Sequence, residues 1–333
     1  MFGIIGIIYQ QKLIGGVDVR GQTLPQRLAS LGWVAWFYVL QTFRIDAMNF
    51  VYPRWKIDAT AALSWLPNIA VVAAWWGLWR LRTRLGWLPP AAWTAYLVTM
   101  VPSLGIADVF YWRYSYVGDH YLYQSLPALL VLAAWGAQRT IAAWPTLQRV
   151  AAVGACCVVA ASSYCAWARA PIYQRDELIW LDALRQNPDA FLALSNLGGI
   201  RDGQGRTMES LRLMERALEL EPNYYEAWVR KADVLAERED WAGALECYRR
   251  GRSHAPRVSN EWYRALLGEA QAQFHQGDVA AAERQLREFE TLLLEHEFEP
   301  DSETAALLCR SRIYLWARPS GAATPRNKPS SMR

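Results

Sequence analysis

The feature that most limits how this chain can fold is a run of nineteen residues, 61–79, without a charged side chain. Folded as a helix, such a run is about as long as the hydrocarbon core of a bilayer is thick. Arg80, Arg82 and Arg84 follow it directly, with no acidic residue among them. The run therefore predicts a transmembrane helix that ends at a positively charged connector.

Further apolar runs share this character, and they are rich in tryptophan. Residues 1–169 hold 13 of the 18 Trp, many of them at the ends of apolar runs, where amphipathic rings favour the membrane interface. A Trp-rich soluble core is the alternative, which the length of the runs disfavours. We predict a transmembrane domain over residues 1–169, with spans near 28–44, 61–79, 91–110, 121–137 and 150–168.

Charge divides the chain and suggests an orientation. Residues 1–169 carry 13 Lys/Arg and 5 Asp/Glu, net +8, whereas residues 170–318 carry 19 and 26, net −7. Positive connectors stay on the cytoplasmic side, which places the connector at 80–84 and the one holding Arg139 and Arg149 inside. The second half is then expected outside, which in a bacterium is the periplasmic face of the inner (plasma) membrane.

Past residue 169 the chain becomes repetitive. Pro188, Pro222 and Pro256 are spaced 34 residues apart, and small residues recur in register between them. This spacing resembles the tetratricopeptide repeat (TPR), in which proline ends the second helix of each pair. We predict a TPR domain over residues 170–318, with repeats near 188–221, 222–255 and 259–296, and a disordered basic tail over 319–333.

The expected fold class is therefore all-α: a polytopic transmembrane helical domain followed by a short TPR α-solenoid. Such solenoids present a concave groove that binds an extended peptide or a partner helix. The groove candidates are Asn196, Arg230 and Lys231.

A polar and aromatic loop between two apolar runs is the best candidate for a second site. Guanidinium and imidazole groups beside a membrane can bind a lipid-linked phosphate, and tyrosines can support a sugar or headgroup. The candidates are Arg113, Tyr114, Asp119, His120, Tyr121 and Tyr123 in residues 101–127, and Arg54 and Lys56 in an earlier loop.

Plainer interpretations of that loop stay open. Arg113 and Asp119 could form an ion pair that closes it, with His120 as a cap. Arg54 and Lys56 could belong to a solvated loop held by interfacial aromatic residues. Asp119 could act as a catalytic base, but no second carboxylate lies close to it in the sequence. Asp108 could supply one.

The sequence shows no pattern typical of a metal, nucleic-acid or cofactor site. The five Cys form no CxxC pair, and His254, His275 and His296 are isolated, so no metal site is expected. Acidic residues dominate the second half, which argues against nucleic-acid binding. No cofactor is expected in this chain.

Three segments carry a resemblance to a known family: FYVLQTFRIDAMNFVYPRW, WRYSYVGDHYLYQSLPALLVLAAW and RDELIWLDALRQNPDAFLALSNLG. They resemble bacterial membrane proteins that join a polytopic domain to TPRs, similar to the transmembrane-and-TPR protein O-mannosyltransferases of the GT-C glycosyltransferase superfamily. The resemblance implies a polyprenyl-phosphate sugar as donor and an acceptor protein held by TPRs outside the cytoplasm. It also implies catalytic acids in a first outer loop that this chain lacks, so the chain resembles the C-terminal portion of such an enzyme.

Two functions follow. The chain is either part of a glycosyltransferase-like protein, as a truncated reading frame would be, or a catalytically silent, membrane-anchored TPR scaffold in envelope assembly. Both predict membrane lipid and a protein or peptide as partners.

Overall fold

In the computed structural model, the residues described are 21–44, 48–105, 109–257, 259–295, 304 and 307–308. Within these ranges all regular structure is helical and no strand occurs, which confirms the all-α prediction for this part of the chain. The chain divides into two compact units, Met1–Ala193 and Leu194–Arg333.

The first unit is built from eight α-helices among its described residues, joined by short 3₁₀ turns. The helices are α1 Leu24–Gln41, α2 Leu66–Arg80, α3 Arg82–Leu85, α4 Leu88–Met100, α5 Asp119–Leu122, α6 Leu126–Ala143, α7 Gln148–Arg169 and α8 Asp176–Gln186. The 3₁₀ turns are Ala62–Trp65, Val101–Ser103, Phe110–Arg113, Pro145–Leu147 and Ala170–Gln174.

Proline marks the starts of several of these helices. Pro25, Pro67, Pro89 and Pro127 lie in the first turns of α1, α2, α4 and α6, where the missing N–H would have no intrahelical acceptor. Pro102 instead marks the end of a helix. Helix α4 ends at Met100, and a 3₁₀ turn containing Pro102 follows it. The helix is therefore shorter than the span predicted over 91–110.

A close approach between α1 and α2 is made possible by Gly32. A Cβ at Gly32 would overlap the backbone of Asn68. The Asn68 side chain fills the crossing, because its Oδ1 accepts from Gly32 N at 2.9 Å and its Nδ2 donates to Ala29 O at 3.0 Å. Beside this crossing, the core of the unit joins α1, α4 and α6 through Val34, Tyr38, Trp93, Tyr96, Met100 and Leu129.

Three helical segments in the described ranges are long and apolar enough to cross a membrane, judged by length and composition. They are Ala62–Arg80, Leu126–Ala143 and Pro145–Gln174. They overlap three of the five predicted spans. The segments Leu24–Gln41 and Leu88–Met100, at the other two predicted positions, are not among them.

The division between the units falls later than the boundary predicted after residue 169. Helix α8 belongs to the first unit, because Gln186 Nε2 donates to Met48 O at 2.9 Å and Asn187 Nδ2 donates to Val51 O at 3.2 Å. The Phe50 and Trp180 rings also meet edge to face, with centroids 5.2 Å apart. These contacts join residues more than a hundred positions apart, so no local pattern signals them.

The second unit consists of helix pairs, and the first helix begins just before the division. The helices are α9 Phe191–Gly203, α10 Thr207–Leu220, α11 Tyr225–Glu237, α12 Trp241–His254, α13 Asn260–His275 and α14 Val279–Glu295. Each of the three intervals predicted as a repeat contains one pair. The tail predicted over 319–333 falls wholly outside the described residues.

Buried and half-buried polar contacts tie successive pairs together. Asp233 on α11 forms an ion pair with Arg264 on α13 at 2.8 Å and accepts from Tyr248 on α12 at 2.7 Å. Glu269 on α13, 1% exposed, pairs with Arg252 on α12 and accepts from Gln285 Nε2 on α14 at 3.0 Å. Asp233 therefore contacts the two helices that follow its own, and Glu269 contacts the helix before and the helix after its own.

Candidate functional site

The Asp119 carboxylate is the centre of a polar cluster in the first unit. Its Oδ1 accepts from Tyr52 Oη at 2.8 Å and from Gln41 Nε2 at 3.1 Å, and its Oδ2 accepts from Asn49 N at 3.2 Å. The donors come from the end of α1 and from the loop that follows it. Asp119 thus joins the earlier loop to the start of α5.

Burial governs the titration of this cluster. It raises the pKa of the Asp119 carboxyl above its usual value, and the hydrogen bonds from Tyr52, Asn49 and Gln41 offset that shift only in part. Burial, and then the nearby Asp119 charge, raise the pKa of the Tyr52 hydroxyl. Tyr52 therefore stays protonated and keeps donating to the carboxylate at neutral pH.

His120 lies beside two tyrosines on the exposed side of the same helix. Its ring centroid is 4.0 Å from that of Tyr121 and 5.4 Å from that of Tyr111. Partial burial lowers the pKa of the His120 imidazole, although the adjacent Asp119 charge opposes the shift. The imidazole is therefore largely neutral at pH 7, and each ring nitrogen can serve as either a donor or an acceptor according to the tautomer.

Two tyrosines position this loop through the backbone. Tyr38 Oη donates to Gly118 O at 3.2 Å and accepts from Gly118 N at 3.0 Å, and Tyr111 Oη donates to Phe50 O at 2.6 Å. A Cβ at Gly118 would lie 2.9 Å from His120 Cε1, so a side chain at this position would displace the imidazole. The start of α5 is thereby held against α1.

Arg54, Arg113 and Tyr114 form a second group. Arg54 Nη1 donates to Arg113 O at 3.4 Å, and the Arg54 guanidinium lies over the Phe191 ring at 5.0 Å. The Tyr114 ring centroid is 5.8 Å from that of Phe191. Arg113, predicted as a phosphate ligand, is 7% exposed.

The predicted loop residues therefore separate into three kinds. Asp119, His120 and Tyr121 share one cluster, while Arg54, Arg113 and Tyr114 share another. Lys56 and Tyr123 are exposed. Gln41, Asn49 and Tyr111 also belong to this arrangement, although the sequence did not predict them. The only available signal was their position in polar or aromatic stretches that the predicted topology places on the same side of the membrane.

The repeat residues occupy different faces. Arg230 on α11 faces α9, because a Cβ at Gly199 would lie 3.0 Å from Arg230 Nη1. Asn196 lies three residues before Gly199, on the same face of α9. Lys231 instead turns towards α10, where its Nζ lies 2.9 Å from Glu215 Oε1. The structure thus groups Asn196 with Arg230 and separates Lys231 from both.

No group of three or more His, Cys, Asp or Glu side chains that could hold a metal ion occurs in the described part of the chain.

Comparison with known proteins identifies the repeats. Residues 200–256 match the tetratricopeptide repeat family. A stretch of 99 residues is 32% identical to the human protein General transcription factor 3C polypeptide 3, and it covers 29% of this chain and 11% of that protein. The chain thus spans only a small part of this relative's length. These matches and the helix pairs show that the chain carries tetratricopeptide repeats.

Proposed function

We propose that this protein is a membrane-embedded tetratricopeptide repeat protein that binds a protein or peptide partner through its repeats. The observation that carries the proposal is the joining, in one chain, of repeats to long apolar helices that bury almost none of their residues within the described part of the chain. The repeats suggest partner binding, and the exposed apolar helices suggest where that binding occurs.

The apolar helices support insertion into lipid. The most apolar windows of Ala62–Arg80 and Pro145–Gln174 contain no buried residue. Val72, Val150 and Val159 are each about two-thirds exposed. Burying one such side chain away from water is favourable by about 1.5–3 kcal/mol, and these helices expose many of them. A helix that is apolar on all sides is stable inside a protein core or a bilayer.

The arginines support an orientation in which the repeats lie outside the cytoplasm, at a bacterial inner membrane. Arg80 ends one candidate span and Arg82 and Arg84 follow it, while Arg139 lies near the end of another. Positive residues near span ends favour the cytoplasmic side. The chain after Pro145–Gln174 would then continue on the outer side.

Partner binding is assigned to the face shared by the first helices of neighbouring pairs. Asn196 on α9 and Arg230 on α11 lie there, and the Asp233–Arg264 ion pair holds α11 and α13 together. A rigid row of helices offers an extended segment or an amphipathic helix several contacts at once.

Two measurements test the proposal. Alkaline carbonate extraction of the full chain should leave it in the membrane pellet, and release into the supernatant would exclude insertion. A photoreactive amino acid at position 196 or 230 should crosslink the same partner polypeptide. The same group at the exposed Arg216 of α10 is the control. Equal labelling at all three positions would contradict a specific binding face.

A second candidate is binding of a polyprenyl-phosphate sugar at the loop of the first unit, as the resemblance to the O-mannosyltransferases implies. The observation in its favour is that the Arg54 side chain reaches the backbone of Arg113, so that two separate predicted loops meet. His120 adds an exposed neutral imidazole beside two tyrosines. The proposal concerns binding, because Asp119 is already engaged by three donors.

Binding of a polyprenyl-phosphate sugar to the full chain in detergent tests this candidate. Arg54→Gln and His120→Ala should each weaken binding by about ten-fold, the loss expected when one charge-assisted hydrogen bond is removed. The exposed Arg185→Gln on α8 is the control and should bind as the wild type does. Unchanged binding in both site variants would exclude the loop as the site.

A further inference from the structure

Arginine and tryptophan side chains interleave at the corner between α2, α3 and α4. The Arg82 guanidinium lies 4.6 Å from the ring centroid of Trp79 and 5.5 Å from that of Trp87, whose ring centroids are 5.3 Å apart. Arg80 lies over Trp76 at 5.5 Å. We refer to Trp76, Trp79, Arg80, Arg82, Arg84 and Trp87 as the Arg–Trp corner.

Helix α6 brings a further cation to the same place. Arg139 Nη2 donates to Arg84 O at 3.4 Å, so the last turns of α6 adjoin the corner. Arg80, Arg84 and Arg139 are all exposed. Four guanidinium groups from two separate parts of the chain therefore gather at one end of the apolar helices.

These cations have no acidic partner among the residues that the structure describes. Asp108 and Asp119 are the two acidic residues between positions 59 and 175, and both lie in the connector at the other ends of α4 and α6. Asp108 is outside the described residues. In the second unit, by contrast, Arg206, Arg216 and Arg287 each pair with a glutamate one turn away. The corner thus holds an uncompensated positive charge.

The geometry suits an anion attached to an apolar chain. Arg82 Nη1 donates to Trp79 O at 2.9 Å, and the flanking rings fix the plane of its guanidinium. The remaining donors of Arg82, and those of Arg80 and Arg84, stay available for a phosphate oxygen. Next to them lie exposed apolar side chains, Leu81 at the corner and Trp87 at the start of α4.

We propose that the Arg–Trp corner binds the headgroup phosphate of an anionic phospholipid, with the acyl chains against the exposed surface of α2. The charge decides the class of lipid. A zwitterionic headgroup carries an ammonium that cancels its phosphate, whereas an anionic headgroup complements the unpaired guanidinium groups. This inference rests on the proposed membrane insertion.

Native mass spectrometry of the full chain tests the proposal directly. The chain is released from an uncharged detergent with equal amounts of phosphatidylglycerol and phosphatidylcholine, and the retained lipid adducts are compared. The wild type should retain phosphatidylglycerol preferentially. Because each arginine near the surface strengthens anionic-lipid binding about five-fold, Arg80→Gln/Arg82→Gln/Arg84→Gln should lose at least ten-fold of that preference.

A control with the same change of charge is available in the repeats. Arg206→Gln/Arg216→Gln/Arg287→Gln removes three exposed, ion-paired arginines and should keep the preference. If circular dichroism shows that the corner variant has lost helicity, the single variant Arg84→Gln is tested in its place. Its preference for phosphatidylglycerol should fall about five-fold. Arg84 is exposed, and Arg139 contacts its backbone carbonyl, which the substitution retains.

The outcomes separate this inference from the proposed function. Lipid adducts of both classes without a preference, or a preference unchanged in the corner variant, would overturn the headgroup site alone. An equal loss in the repeat control would also overturn it, because net charge would then explain the effect. A wild type that retains no lipid of either class, and that carbonate releases from membranes, would overturn membrane insertion itself.

Discussion

The hydroxyl of Tyr52 donates a 2.8 Å hydrogen bond to Oδ1 of Asp119, across 67 positions of sequence. This single contact joins the loop after α1 to the start of α5. It also connects the titration of the carboxyl to the stability of the first unit, because the same burial raises the pKa values of both groups.

Tyr52→Phe removes that donor without changing the ring. We expect a loss of about 1–3 kcal/mol in unfolding free energy, because Asp119 keeps its burial but loses a partner. Thermal unfolding of the full chain in detergent measures the change. Tyr123→Phe is the control, since Tyr123 is 69% exposed. Equal midpoints for the two variants would show that the hydrogen bond does not contribute.

The pH dependence of stability should carry the signature of Asp119. A carboxyl whose pKa is raised in the folded state binds its proton more tightly there than in the unfolded chain. The contribution of Asp119 to the free energy of unfolding is therefore most favourable below the carboxyl pKa of the unfolded chain, about 3.9. This contribution declines as the pH rises towards the raised pKa of the folded state. The melting temperatures of the wild type and of Asp119→Asn are measured at each pH. The difference between them, wild type minus variant, should show this decline. A difference that stays flat, or that increases with pH, would contradict the assigned shift.

Glu269 should be the most sensitive charged residue of the repeats. Glu269→Ala removes a carboxylate that is 1% exposed and leaves Arg252 and Gln285 without their shared partner. The expected loss is about 3 kcal/mol, which far-UV circular dichroism during thermal unfolding can detect. Glu283→Ala, in the exposed pair with Arg287, should cost about 0.5 kcal/mol or less. Similar losses in the two variants would mean that burial does not distinguish them.

Gly268 should be needed for the packing of α12 on α13. In Gly268→Ala the new Cβ would overlap the Tyr248 ring, which is itself held by Asp233. Overpacking of this kind costs about 1–3 kcal/mol, measured by the same unfolding experiment. Gly203→Ala at the end of α9 is the control and should cost little, because its Cβ would meet nothing within 4 Å. A stabilising Gly268→Ala would refute the close contact.

Local patterns were sufficient for part of this structure. The 34-residue spacing of Pro188, Pro222 and Pro256 predicted intervals that each contain a helix pair, because proline and small residues act within a few positions of where they occur. The uncharged run at 61–79 likewise predicted the apolar segment Ala62–Arg80. Helix ends were less accurate: α4 ends at Met100 instead of reaching residue 110.

Long-range contacts decided the rest. The sequence by itself determined the helical class, the repeats and the Arg-rich connector, since these depend on residues that are neighbours in the chain. Only the tertiary structure placed Tyr52 and Gln41 on Asp119, buried Arg113 and joined α8 to the first unit. The physical reason is that each of these depends on which helices pack together. Packing adds up many weak contacts between distant positions, and no short pattern in the sequence encodes that sum.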